Sequence, residues 1–145
     1  MSAVESTEKG VGRWVSFVLR LAIGSLFLAT SVSKLSGGLQ SIRGTVGYFQ
    51  TTFADTWLPH PLVTMHGWLT PFVEGLIPVW LIVGYRLRIG WIVTCLFVIS
   101  LAFGMAVAKK YDVAAHNYAY VLICAAGLHF SRYDRFSVDG LLRRP

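Results

Sequence analysis

Four runs of apolar residues follow one another along the chain, separated by segments that carry most of the charged residues. Two of these runs, residues 14–33 and 89–108, contain a single charged residue between them. A helix of about 20 residues rises roughly 30 Å, the thickness of the hydrocarbon core of a bilayer. Residues 68–85 and 113–130 are shorter or more polar, and we predict that they complete a set of four transmembrane helices.

The segment between the first two predicted spans, residues 34–67, is long and contains an amphipathic stretch of its own. Its apolar residues recur about one helical turn apart, with polar residues between them. They are Leu39, Ile42, Val46 and Phe49. This pattern predicts an interfacial amphipathic helix within the long outer loop, lying on the membrane surface.

Composition and charge agree with a membrane fold and indicate its orientation. The 145-residue chain is 54% hydrophobic and 14% charged, whereas soluble domains carry about 25% charged residues. With the N-terminus in the cytoplasm, most Lys and Arg residues outside the spans also face the cytoplasm, as the positive-inside rule favours. The net charge of +6 then reflects topology, and no nucleic-acid partner is expected.

These patterns together predict the fold class. We expect a single all-α domain over residues 1–145, an antiparallel four-helix integral-membrane bundle. Both termini are predicted to be cytoplasmic (N-in and C-in), and residues 131–145 form a basic cytoplasmic tail.

Two charged residues lie inside predicted spans, Arg20 and Glu74, and Lys34 lies at the outer end of the first span. A charge in a bilayer costs several kcal/mol unless it is paired or solvated. Depth separates Arg20 from Glu74 by roughly 10 Å along the membrane normal, whereas the long stem of Lys34 can reach Glu74. We therefore predict a polar cluster near the outer leaflet, made of Lys34, Glu74, His116 and Asn117. Arg20 would lie nearer the cytoplasm, facing backbone carbonyls, Ser25 or a ligand oxygen.

Two interpretations of the predicted cluster are open. In the first it is a structural salt bridge, since polar contacts between membrane helices contribute about 0.6 to 2 kcal/mol each. In the second it binds a polar headgroup such as a quinone, and Glu74 takes or gives protons as a catalytic carboxylate. Arg20, Lys34, His116 and Asn117 would then be the other quinone-binding residues.

No motif for a metal, haem or flavin occurs in the sequence. The histidines lack the H-x-x-x-H spacing of a helical metal site, and no glycine-rich phosphate loop is found. The two cysteines, Cys95 and Cys124, lie in the third and fourth predicted spans without C-x-x-C spacing, so we interpret them as packing residues. A quinone is the one cofactor that we expect.

Four short stretches, taken in order, resemble the DoxX-type membrane proteins. They are RLAIGSLFLATSVSKL from Arg20, FVEGLIPVWLIVGYRLR from Phe72, HNYAYVLICAAG from His116, and RFSVD from Arg135. The resemblance implies a four-helix, multi-pass protein of the bacterial or archaeal cytoplasmic (inner) membrane. It also implies that a set of residues occupies the family's motif positions: Arg20, Lys34, Glu74, Asn117 and, in the tail motif, Ser137 and Asp139.

The resemblance and the polar cluster lead to three hypotheses about function. In the first hypothesis, the protein is a small accessory subunit with a structural role in a larger redox or electron-transfer membrane complex. Alternatively, it is a quinone-binding redox subunit of an enzyme like the thiosulfate:quinone oxidoreductases, to which the wider DoxX group is linked. A third hypothesis is a small transporter that must oligomerise to form a pathway. The expected partners are membrane lipid and either other subunits or further copies of the chain.

Overall fold

The computed structural model describes residues 3–139, with side chains from residue 8 onward. This part of the chain is helical and contains no strand. Its elements are α1 (Ala3–Leu35), α2 (Gly38–Thr52), α3 (His60–Val83), α4 (Leu87–Val107), α5 (Tyr111–Phe130) and a 3-10 turn at Ser131–Tyr133. All but α2 and the 3-10 turn are long and apolar enough to cross a membrane, so the predicted all-α helical membrane bundle is confirmed. Residues 140–145 of the predicted tail lie outside the described residues.

The α3 helix begins earlier than the span predicted from residue 68. Pro59 is extended, with φ −61° and ψ 126°, and the helix starts at His60 with Pro61 in its first turn. Proline is favoured there because the first-turn N–H groups have no partner within the helix. The chain between α2 and α3 is therefore shorter than the apolar pattern alone indicated.

The amphipathic stretch forms α2, which packs on the bundle through its apolar face. Ile42, Val46 and Phe49 are buried, whereas Leu39 is exposed. The closest approach is at Gly67 of α3, where an added Cβ would lie 3.2 Å from the Cα of Val46. Three of the four apolar residues of the predicted amphipathic helix are therefore buried, but against the bundle, where α2 covers one end of α3.

The core of the bundle is one buried cluster with residues from α1, α3, α4 and α5, and its largest side chain lies where α4 meets α5. Trp91 of α4 is fully buried, and an added Cβ at Gly127 of α5 would collide with its indole ring. Cys124 is buried one turn from Gly127, with Cys95 packed against the same cluster, and neither forms a disulfide. Close packing at a glycine explains how such a large side chain fits between two helices.

Candidate functional site

Lys34 and Glu74 form an ion pair, which we call the open pair. The Nζ atom of Lys34 lies 2.7 Å from Oε1 and 2.6 Å from Oε2 of Glu74. The Glu74 side chain is 6% exposed and that of Lys34 is 30% exposed. Gly75 lets α1 and α3 approach, since an added Cβ there would lie 2.9 Å from Ser31 Oγ. The last turn of α1 thus brings an ammonium group onto a buried carboxylate of α3.

The open pair lies in the wall of an open cavity of about 460 Å³ that is lined by residues of all five α-helices. We call this space the polar cavity because, besides the open pair, its lining includes six side chains with hydroxyl or amide groups. These are Ser33, Ser41, Thr45, Tyr48, Thr70 and Asn117. Three of them come from the polar face of α2, so α2 forms one wall of the polar cavity.

The hydrogen-bonding groups in the polar cavity differ in whether they already have partners. The hydroxyls of Thr45 and Thr70 donate to carbonyls of their own helices, at 3.3 Å and 2.8 Å. Tyr48 Oη lies 3.1 Å from Lys110 Nζ and accepts its hydrogen bond. The side chains of Ser41 and Asn117 make no hydrogen bond within residues 3–139, so both can serve a ligand.

The structure places the His116 side chain away from Lys34, Glu74 and Asn117, with which it was grouped on the basis of the sequence. Its ring Nδ1 contacts the Asp112 carbonyl at 2.7 Å, its side chain is exposed, and it does not line the polar cavity. Asn117, the next residue, does line the cavity. Consecutive residues on a helix point about 100° apart, so only one of the two can face the open pair.

Arg20 belongs to a second ion pair, with Asp134, which we call the closed pair. Its Nη1 lies 3.0 Å from Asp134 Oδ2, and the side chains are 4% and 2% exposed. Nε donates to the Leu81 carbonyl at 2.6 Å, and Nη2 donates to the Ile82 carbonyl. Those carbonyls end α3 and lack partners within the helix, so the cation stabilises the negative end of the helix dipole.

The closed pair is remote from the polar cavity. Arg20 and Lys34 are fourteen positions apart on α1, which corresponds to about 21 Å along the helix. Ser16 completes the closed pair by donating to Asp134 Oδ2 at 2.8 Å. The structure therefore does not bring Arg20 together with Lys34, Glu74 and Asn117. Sequence reasoning missed Asp134 because nothing near it in the chain indicates a partner 114 residues away.

Ser137 and Asp139 hold the turn between α3 and α4. The carboxylate of Asp139 accepts hydrogen bonds from the backbone N–H groups of Arg86 and Leu87, at 2.9 Å and 2.8 Å, and so caps the start of α4. Ser137 is buried against Gly84, which has a φ of 71°. The described part of the tail thus packs on the bundle at the end that contains the closed pair.

No group of three or more His, Cys, Asp or Glu residues that could hold a metal ion occurs among residues 3–139. Quinone binding and proton handling by Glu74 stay predictions. Sequence reasoning also missed Ser41, Thr45 and Tyr48. The sequence did contain a signal for these three residues, since polar residues lie between the apolar positions of α2. The polar face of such a helix points away from α3, toward solvent or a cavity.

Comparison with known proteins identifies a family. A family model described as methylamine utilisation protein MauE matches residues 12–116. No curated protein and no solved structure matches the chain. The resemblance to DoxX-type proteins is therefore wrong, since a different membrane family matches, and the link to thiosulfate:quinone oxidoreductases falls with it. The open pair and Arg20 lie within the matched residues, whereas Asn117 and Asp134 lie beyond them.

Proposed function

Because the chain belongs to the family of methylamine utilisation protein MauE, we propose that it acts as an accessory subunit of a redox-related membrane system. The family match is the observation that carries this proposal. The two ion pairs support it, since each buried charge is neutralised within the chain, as a stable scaffold requires. Four membrane-length helices suit a multi-pass protein that anchors or positions a partner in the bilayer.

The α5 helix offers a surface for such a partner. It is the least buried of the four spans, although it is less apolar than α1 or α4. A helix that faced only lipid would be expected to be the more apolar one. Its outward residues include Ala119, Leu122 and Tyr118, and Leu122 is 72% exposed. A small residue beside a large one allows another membrane helix to approach closely, and the tyrosine hydroxyl can donate across that interface.

Co-purification from native membranes in mild detergent tests this proposal. The variant Ala119→Trp places a large ring on the outward face of α5, and Leu96→Trp does the same on α4, where Leu96 is 61% exposed. We expect the unmodified protein to recover a stoichiometric membrane partner, and Ala119→Trp to reduce that recovery at least tenfold. The Leu96→Trp control should recover the partner normally. Recovery of the unmodified protein with lipid alone would contradict the proposed role.

A further inference from the structure

A second cavity shares Phe49 with the polar cavity and has fewer polar side chains in its lining. It has a volume of about 240 Å³ and lies between α3, α4 and the connection before α3. Apolar side chains make up most of its lining, so we call it the apolar cavity; they include Phe53, Leu58, Leu62, Val63 and Phe103. Leu62 and Phe103 are about half exposed, so the apolar cavity opens at the surface of the bundle.

Phe49 is the residue that the linings of the two cavities share. Its side chain is buried, and its ring lies 5.8 Å from that of Phe53 and 5.6 Å from that of His66, measured between centroids. The Phe49 ring thus borders both the polar cavity and a cavity lined mainly by apolar side chains, whose polar members are His66 and Ser100. A molecule with a polar head and an apolar chain matches both environments when it passes along the Phe49 ring.

The charges of the polar cavity favour an uncharged head. Lys34 and Glu74 neutralise one another at 2.6 Å, so a charged ligand would gain attraction from one and repulsion from the other. The unbonded side chains of Ser41 and Asn117 add a hydroxyl and an amide that can both donate and accept. A carbonyl or hydroxyl group could use these partners without breaking the open pair.

We propose that the polar and apolar cavities form one binding site for an uncharged amphiphile. Its carbonyl or hydroxyl head lies beside the open pair, and its apolar chain passes Phe49 into the apolar cavity. Their combined size suits a small lipid-soluble molecule, because ligand sites commonly enclose about 300 to 1,000 Å³. Lipid-soluble quinones and long-chain alcohols share this chemistry. The site is independent of the accessory role proposed above.

Photolabelling of the purified protein in nanodiscs tests this site. Three probes carry the same ten-carbon chain with a diazirine at its end and differ in the head: a benzoquinone, an alcohol and a carboxylate. Mass spectrometry then locates the labelled peptides. We expect the quinone and alcohol probes to label the segments around residues 58–63 and 100–104, and the carboxylate probe to label them at least tenfold less. Unlabelled decyl benzoquinone or decanol should compete with the label, and the stronger competitor identifies the head.

Two serines with the same local hydrogen bond provide a matched pair of variants. Ser100 lines the apolar cavity and donates to its own helix at Phe97, whereas Ser25 donates to Ala22 on α1 and lines neither cavity. Both are exposed. Ser100→Phe should fill the apolar cavity and reduce labelling at least fivefold, while Ser25→Phe should leave it unchanged. The double variant Lys34→Gln/Glu74→Gln leaves no unpaired charge. It should weaken competition by unlabelled decyl benzoquinone and decanol, because their heads lie beside the open pair.

Three results would overturn the proposal. Labelling spread evenly over the lipid-facing side of α4 and α5, without competition, would mean that the chain end contacts bulk lipid. Equal labelling by the carboxylate probe would contradict the uncharged head. Undiminished labelling in a folded Ser100→Phe protein would exclude the apolar cavity.

Discussion

The two ends of the bundle each contain a buried ion pair, yet the pairs differ in what surrounds them. The closed pair is enclosed, with Arg20 and Asp134 almost inaccessible and bonded to Ser16 and to two carbonyls of α3. The open pair has the same chemistry, but Lys34 is 30% exposed and a cavity lies beside it. A charge in a membrane helix is therefore not by itself a sign of function. Unused hydrogen-bonding capacity next to the charge is what distinguishes a candidate site from a structural pair.

Removal of the closed-pair carboxylate should produce the largest effect. Asp134→Ala leaves the Arg20 guanidinium buried without its counter-charge, so we expect a loss of about 3 to 5 kcal/mol in the free energy of unfolding. Unfolding of the purified protein in mixed micelles by SDS measures this loss. Asp55→Ala removes an exposed carboxylate and should change stability by less than about 0.5 kcal/mol. Equal effects of the two substitutions would show that the closed pair is not structural.

Two glycines with positive φ allow the backbone to be compared at the two ends of the bundle. Gly84, with φ 71°, adjoins the closed pair and an added Cβ would collide with Ser137; Gly38, with φ 60°, has open space around it. Gly38→Ala should lower the free energy of unfolding by about 1 to 2 kcal/mol, because alanine disfavours the left-handed conformation. Gly84→Ala should cost about 1 to 3 kcal/mol more, because it also overpacks the tail. The same micelle unfolding assay measures both, and similar costs would mean that the tail yields to the added methyl group.

Neutralisation of the open pair should have a smaller effect than removal of the closed-pair carboxylate. Glu74→Gln keeps the shape of the side chain and leaves Lys34 partly accessible to solvent, so we expect a loss of about 1 to 2 kcal/mol. The difference from the loss caused by Asp134→Ala then measures how much more the closed pair contributes to stability than the open pair. His116→Gln, one residue before Asn117 but outside the polar cavity, should change stability by less than about 0.5 kcal/mol. A larger loss of stability for Glu74→Gln than for Asp134→Ala would mean that the open pair is the structural one.

The sequence predicted the helices, both residues of the open pair and the cation of the closed pair, but not the complete sites. Periodicity located the buried face of α2 because Ile42, Val46 and Phe49 follow the helical repeat. Depth alone was enough to match Lys34 with Glu74, since helix rise converts residue number into position in a bilayer. Depth could not separate His116 from Asn117, which lie at one level but face different directions.

The rest depended on long-range packing that a single sequence does not encode visibly. Asp134 follows α5 in a segment that reads as a basic tail, and its contact with Arg20 depends on how that segment folds back. The motifs that suggested the DoxX-type family consist of single charged or polar residues and glycines in and beside apolar helices. Such residues meet requirements common to small membrane bundles, so they were too general to identify the family.

The link between Arg20 and Asp134 has a consequence for biosynthesis. The two residues are 114 positions apart, so a ribosome working at about 5 to 20 residues per second needs roughly 6 to 23 seconds to supply the second after the first. During that interval α1 enters the membrane with a cation whose counter-charge does not yet exist. Until the segment after α5 emerges, the partners open to Arg20 are water and, once α3 has been made, the carbonyls of Leu81 and Ile82.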